Sequence, residues 1–336
     1  MLNIGIIGCG IVADYGHLPT VKASQHWNLL AAAEVNAERL AAVQKKFEPQ
    51  RAFNDYRELL KLPGLDAVAI ATHADTHHAI TLAALERGLH VLCEKPMAGN
   101  LPQCQEMVDA AARARRILAV NFNTRSGAIY REVKRLIGAG SVGTVRVVRI
   151  VYDWSAHQWQ PLERMENFMR NGGPIVDSGV HFFEGVRWFT GQEYASIEAQ
   201  GVVLPPYEHP QHVIATCLMS GGAIALVEAG WLYCKRSKDR GQLFTLDIIG
   251  DEGAISYDSH SMDLRIYAKS ATEIRKFEDM GKHFEVVYDA FAESIQKGKL
   301  LELASGLDGL RATEAAYKAL ASCHTKSRLI CKTASS

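Results

Sequence analysis

Three observations predict an α/β chain with two differently built halves. Up to about residue 122, short apolar runs alternate with stretches of helical period, and a glycine turn, Gly8-Cys9-Gly10, directly follows the first run. Beyond about residue 140 the chain becomes a series of strand-like runs separated by turn signals. Buried apolar strands alternating with helices specify a doubly wound parallel sheet, and strands joined by hairpins an antiparallel one. The expected fold class is therefore an N-terminal doubly wound parallel sheet followed by an α+β domain with a large open, mostly antiparallel sheet.

The apolar runs Ile4–Ile7, Leu29–Ala33, Ala67–Ala71, His90–Cys93 and Leu118–Phe122 are the expected parallel strands. Ala37–Phe47, Thr76–Arg87 and Pro102–Arg113 are the expected helices between them, connected by right-handed crossovers. A helix over Ala128–Ile137 runs into Gly138-Ala139-Gly140, a helix stop. Val145–Tyr152, Ala195–Val203, Val213–Leu218, Ala223–Gly230, Leu243–Ile249 and Leu264–Tyr267 then read as strands. Ser220-Gly221-Gly222 and Gly250-Asp251-Glu252-Gly253 suit hairpin turns. Helices are expected at Gly179–Phe189, Phe284–Lys297 and Leu307–His324. With 336 residues there is material for two cores, and the expected boundary divides the chain into 1–123 and 124–336.

The balance of 37 basic against 37 acidic residues, with no charge block at either end, argues against nucleic-acid and membrane-surface partners. Seven cysteines without metal-ligand spacing point to a reducing compartment, and no run approaches a membrane span. The first strand begins at once, with no leader signal before it, so the cytoplasm is the expected location.

Gly8-Cys9-Gly10-Ile11-Val12-Ala13 is a G-x-G-x-x-A turn between a strand and a helix. Its first glycine permits the tight turn, its second lets backbone approach a pyrophosphate, and the small last residue allows close packing. Glu34 ends the next apolar run, where a carboxylate accepts from ribose hydroxyls and repels a 2′-phosphate. Val35 adds no positive charge, so NAD is expected over NADP, while Arg39 could lean over adenine or reach a phosphate.

Two further strings carry chemistry: Glu94-Lys95-Pro96 after an apolar strand, and Gly172-Gly173-Pro174-Ile175-Val176-Asp177-Ser178-Gly179-Val180-His181. Lys95 offers an ammonium donor at the carboxyl end of a strand, where open α/β sheets bind ligands. His181, with an ordinary pKa of about 6.5, suits a general base. Asp177 shares a helix face with His181 if the segment is helical, though a helix cap is its simpler reading. Glu94 either holds the turn or touches ligand. Trp154 and His157, followed by Arg164 and Arg170, mix aromatic and hydrogen-bonding groups in a way that suits a sugar or cyclitol, or a packed loop. Trp231 and Tyr233 carry the same two readings. His209, His212, His260 and His283 fit no site pattern, and no metal is expected.

These residues together resemble the glucose–fructose oxidoreductase/inositol dehydrogenase/rhizopine-catabolism family over essentially the whole length. The matching elements are the glycine turn, Ala69-Ile70-Ala71-Thr72, His77, His90–Pro96, Asn123-x-Arg125 and the Gly172–His181 run. The resemblance implies a Rossmann NAD-binding domain over 1–123 and a substrate-binding and oligomerisation domain over 124–336. It implies homodimers or homotetramers formed through the second sheet, and often a cis Lys95–Pro96 bond. By position, Lys95 would hydrogen-bond the reacting oxygen, His181 would move its proton, and Asp177 would help place substrate and imidazole. Gly8, Gly10, Ile11, Val12, Glu34, Val35, Arg39, Thr72, His73, His77, Glu94, Lys95 and Asn123 are the expected cofactor residues. Lys95, Asn123, Trp154, His157, Arg170, Asp177 and His181 are the expected substrate residues. Pro174, His73 and Thr124 depart from the family's usual residues, which leaves the substrate open. The expected activity is NAD(P)-dependent oxidation or reduction of a secondary alcohol or ketone in a sugar or cyclitol. An NAD-dependent glycosidase and a non-catalytic sugar or NAD sensor are the alternatives on the same fold.

Overall fold

In a computed structural model of the chain, which describes residues 1–156, 162–239, 241–269, 271–279 and 281–331, the apolar runs of the first half become parallel strands. They are β1 (Leu2–Ile7), β2 (Trp27–Ala33), β3 (Arg51–Phe53), β4 (Ala67–Ile70), β5 (His90–Cys93) and β6 (Leu118–Val120), in the order β6-β5-β4-β1-β2-β3. β4 and β6 are buried along their whole length, as strands covered on both faces must be. Helices Ala37–Phe47, Ala74–Glu86 and Leu101–Ala114 lie between strands, within two residues of the expected limits. Asn36 and Asn100 cap two of them through their side-chain oxygens.

Chain contacts divide the molecule into two units, Met1–Ser126 with Lys282–Arg311, and Gly127–Gly281 with Ala312–Ser336. A single cut at 123 therefore needs correcting, because a late segment returns to the first unit. Its helix, Phe284–Lys297, sends Phe284, Val287, Tyr288 and Phe291 into the core that contains Leu18, Val21 and Trp27. Trp27 stacks on Phe291 at 5.5 Å, and its Nε1 donates to the Tyr288 carbonyl at 2.8 Å. Ala304–Ser305 then pairs antiparallel with β6, completing a seven-stranded sheet.

Among the described residues, the second unit is built on a sheet of nine strands. Eight of them are β7 (Val145–Trp154), β8 (Tyr194–Val202), β9 (His212–Met219), β10 (Ile224–Gly230), β11 (Gln242–Gly250), β12 (Ala254–Asp258), β13 (Asp263–Tyr267) and β14 (Thr272–Lys276). Leu329–Ile330 pairs with β8 at one edge, and the order inward from the other is β14-β13-β12-β11-β7-β10-β9-β8. All neighbours run antiparallel except β10 and β7. β9 alternates buried and open positions: Val213, Ala215, Cys217 and Met219 face inward, while Ile214 and Leu218 face out. The inward face is covered by the helix Gly179–Thr190, whose Phe182 packs on Tyr152 at 5.5 Å.

Candidate active site

In the first unit, the site is built at the carboxyl ends of β1, β2, β4 and β5. Gly8 has φ +87°, and a Cβ there would lie 2.7 Å from Thr72 Cγ2 and 2.8 Å from the Ala71 carbonyl. Glycine is therefore required by conformation and by the closeness of the β4 end. Gly10 is different, since nothing lies within 4 Å of the position a Cβ would take. The helical trace continues through Ile11 and Val12 into a π-helical stretch, Ala13–His17, and then the α-helix Leu18–Ala23. Ala13 is fully buried, as close strand–helix packing needs.

Glu34 is buried at the end of β2 and tied to the glycine turn. Its Oε2 accepts from the Cys9 amide at 2.8 Å and its Oε1 from the Asn36 amide at 3.0 Å. Arg39 sits 3.5 Å from Oε1 on the exposed side. Lone pairs remain on both carboxylate oxygens for further donors. Beside it, burial and the Glu34 charge push the Cys9 thiol up to about 12, so it stays neutral. Ile11 and Val35 are exposed apolar side chains, at 51% and 86%. The open cradle over Gly10 and the oriented carboxylate at the β2 end fit a dinucleotide's pyrophosphate and ribose.

At the β4 and β5 ends the expected residues divide by role. Thr72 accepts a 2.7 Å bond from Thr76 Oγ1, and exposed His73 starts the helix Ala74–Glu86. His77 is 1% exposed, with Nδ1 3.1 Å from the Pro96 carbonyl and Nε2 3.1 Å from that of Thr72. Burial lowers its pKa, and its ring bridges the two strand ends rather than presenting itself to a ligand. Lys95 is half-buried, and the Lys95–Pro96 bond is cis. Glu94 is likewise buried, its Oε2 accepting the Lys95 amide at 3.1 Å and its Oε1 taking Asn121 Nδ2 at 2.6 Å. Its carboxylate therefore holds the turn, one of the two readings open in the sequence. Asn123 is buried just beyond β6.

In the second unit, the glycine pair has a conformational reason. Gly172 has φ +105° and Gly173 φ +70°, and a Cβ on Gly173 would meet the Pro210 carbonyl at 2.7 Å. The chain then turns sharply into Pro174–Asp177. Ser178 keeps right-handed torsions, φ −97° and ψ −41°, so the trace continues into Gly179–Thr190 with His181 in its first turn. Asp177 and His181 are four residues apart on this near-continuous helix, both half-buried, and so share a face. A Cβ on Gly179 would lie 2.9 Å from Ile175 Cδ1 and 3.6 Å from Ala229 Cβ, so this helix sits close on β10.

The expected sugar-facing stretch changes most. Trp231 is fully buried in a small core with Ala156, Met165 and Met169, and Trp154 packs against that core from the end of β7. Trp231 is thus a packing residue. Arg164 lies over the Phe168 ring at 5.1 Å, and Arg170 is exposed, 4.0 Å from Glu166 on its own helix. His157 lies outside the described residues.

Sequence reasoning missed three site neighbours. His17 lies between Tyr288 and Glu94 in a buried chain, with Nε2 3.0 Å from Glu94 Oε1 and Nδ1 2.8 Å from Tyr288 Oη. Asn121 completes it. Only the position of His17 on the first helix could have signalled a role. His212, which fits no site pattern in the sequence, lies between two carboxylates: Nδ1 is 3.2 Å from Asp153 Oδ2, and Nε2 is 3.0 Å from Glu228 Oε1. The three groups' donor atoms lie within 4.8 Å of one another. The carboxylates address opposite ring nitrogens, however, so the imidazole itself is the bridge between them. Hydrogen bonding to Asp153 raises its pKa despite partial burial.

A family model described as an oxidoreductase family with an NAD-binding Rossmann fold matches residues 2–122, and one described as the GFO/IDH/MocA C-terminal domain matches residues 130–256. A myo-inositol 2-dehydrogenase of Thermotoga maritima is 29% identical over 204 residues, 60% of this chain and 59% of that one, so the match spans less than two thirds of that relative. An inositol 2-dehydrogenase/D-chiro-inositol 3-dehydrogenase of Shouchella clausii is 27% identical, covering 91% of this chain and 86% of its own. A levoglucosan dehydrogenase solved with NADH and levoglucosan has the same fold, with a TM-score of 0.84, 23% identity and 98% of each chain covered.

Proposed function

The chain belongs to the GFO/IDH/MocA family of NAD-binding Rossmann oxidoreductases, and from that premise we propose that it transfers a hydride between NAD and a secondary alcohol of a sugar, sugar derivative or cyclitol. The observation that carries this reading is the open cradle above Gly10 with the Glu34 carboxylate held beside it. Inositol and levoglucosan dehydrogenases among the relatives support a polyhydroxylated substrate. When bound, the nicotinamide accepts or returns the hydride. Lys95 then donates a hydrogen bond to the reacting oxygen, steadying its developing negative charge. His181 accepts the hydroxyl proton during oxidation and returns it during reduction. Asp177, on the same helix face, orients substrate and imidazole. Glu34, accepting ribose hydroxyls, favours NAD over NADP. His77 and Glu94 are assigned positioning roles, supported by their burial and their bonds to the backbone on either side of Lys95 and at Thr72.

A homo-oligomer formed through the outward face of the second sheet is also proposed, supported by exposed Ile214, Leu218 and Ile224 on neighbouring strands. No helix among the described residues is long and apolar enough to cross a membrane. None of the seven cysteines, all among the described residues, forms a disulfide; this supports a reducing, cytoplasmic setting.

Thermal unfolding with NAD, NADH, NADP and NADPH, followed by a polyol panel with the best cofactor, tests the proposal. A ligand at a hundred times its Kd stabilises by about 2.7 kcal/mol, and NAD(H) should give the larger shift. His181→Ala should lower kcat about 10²–10⁴-fold and Lys95→Ala about 10²–10³-fold. Oxidation by the wild type should rise as an imidazole loses its proton and reduction should fall. Near-normal turnover in both variants would overturn the mechanism.

A further inference from the structure

Lys95 stands between two buried imidazoles. Before it, Glu94 Oε2 accepts the Lys95 amide at 3.1 Å, and Glu94 Oε1 is gripped by His17 Nε2 at 3.0 Å and Asn121 Nδ2 at 2.6 Å. After it, the Pro96 carbonyl lies 3.1 Å from His77 Nδ1. His17 is fully buried, and its Nδ1 lies 2.8 Å from the hydroxyl of Tyr288, which is fully buried too. Its ring packs edge-on against Phe284 at 5.0 Å. The residues from the far end of the chain thus reach the turn that carries the lysine.

One assignment of protons satisfies the whole set. Tyr288 donates its hydroxyl proton to His17 Nδ1, and His17 donates Nε2–H to Glu94. The carboxylate then receives three N–H donors, from His17, Asn121 and the Lys95 backbone. Although burial opposes ionisation, the hydrogen bonds from His17 and Asn121 and the nearby Lys95 charge hold the Glu94 carboxyl below the usual carboxylate range, so it keeps its charge and its donors. A lysine reaches its target on a flexible four-carbon stem. What the fold can fix is where that stem begins, and this network fixes it.

We propose that His17 and Tyr288 are positioning residues for the hydride reaction: through Glu94 they set the backbone of Lys95 and so aim its ammonium at the reacting oxygen. The proposal rests on the role given to Lys95 above. Misplacing a reacting group by about 1 Å can cost about 10²-fold in rate, which sets the scale of the effect.

The test compares Tyr288→Phe, His17→Asn, Glu94→Gln and the Tyr288→Phe/His17→Asn pair in the full chain, with Lys95→Ala alongside. Steady-state kcat and KM on the best polyol, NAD affinity by fluorescence titration and Tm are measured for each. Glu94→Gln and His17→Asn should lower kcat by about 10- to 100-fold, while NAD Kd moves less than about threefold, the pattern of an interaction used mainly in the transition state. Tyr288→Phe should lower kcat by at least about threefold, and the pair should be no slower than His17→Asn alone, because both act through one chain of bonds. Wild-type kcat in Tyr288→Phe and Glu94→Gln with a lowered Tm would make the network a brace only and overturn the proposal. If the His17 or Glu94 variant does not fold, the kcat of Tyr288→Phe, which removes a single oxygen, decides. Loss of turnover in Lys95→Ala with normal kcat in the others would sink this proposal alone, whereas normal turnover in Lys95→Ala would sink the hydride mechanism as well.

Discussion

Gly8 and Gly10 are the same residue type two positions apart, yet they answer to different constraints. Gly8 is required by the fold, through its positive φ and its contact with the end of β4, whereas a Cβ on Gly10 meets nothing in the protein. Gly10→Ala should therefore leave Tm within about a degree of wild type, since an alanine fitting without strain costs no stability. It should weaken NAD binding by about tenfold or more, ~1.4 kcal/mol, measured by titration; unchanged affinity would remove the pyrophosphate from above this turn. The pattern G-x-G-x-x-A was legible because its constraints are local. The burial of Glu94, His77 and Trp231 was not, because a residue's exposure depends on what other elements bring over it.

Among elements, those with a strong apolar period were readable from sequence. Ala37–Phe47 has the expected limits, and Ala128–Gly138 extends the expected helix by one residue. The strands Ala254–Asp258 and Thr272–Lys276 went unread. The first is short and alternates with polar Ser256 and Asp258, and the second lies at the sheet edge with almost no buried side chain. Edge and short strands are specified by their partners more than by their own residues. The bridge from Asp153 through His212 to Glu228 links β7, β9 and β10, and it makes a pH-dependent contribution. The folded imidazole holds its proton above the usual 6.5, so the bridge is complete below that pH and is lost as pH rises through the folded value. His212→Gln should cost up to about 1 kcal/mol at pH 5–6 and less at pH 9. Equal losses of Tm at both ends would show that the charged imidazole contributes nothing.

For the whole molecule, the outward face of the second sheet carries Ile214, Leu218 and Ile224 where a monomer would place polar groups. Light scattering should give a dimer or tetramer mass, and Leu218→Lys with Ile224→Lys should shift it towards the monomer; a monomeric wild type at micromolar concentration would sink the oligomer. The seven-stranded sheet takes its last strand from Ala304–Ser305, and its core takes Phe284, Tyr288 and Phe291 from the helix before it. The sequence by itself determined the alternation of strand and helix, the hairpins, the glycine turn and the types of group available for chemistry. Each of these follows from residues within a few positions of one another. Only the tertiary structure decided that residues 282–311 return to the first unit and that His17, Glu94 and Tyr288 meet. Their separations, 77 and 271 positions from His17, leave no local period or spacing, because such contacts are set by which buried surfaces fit together once the chain has folded.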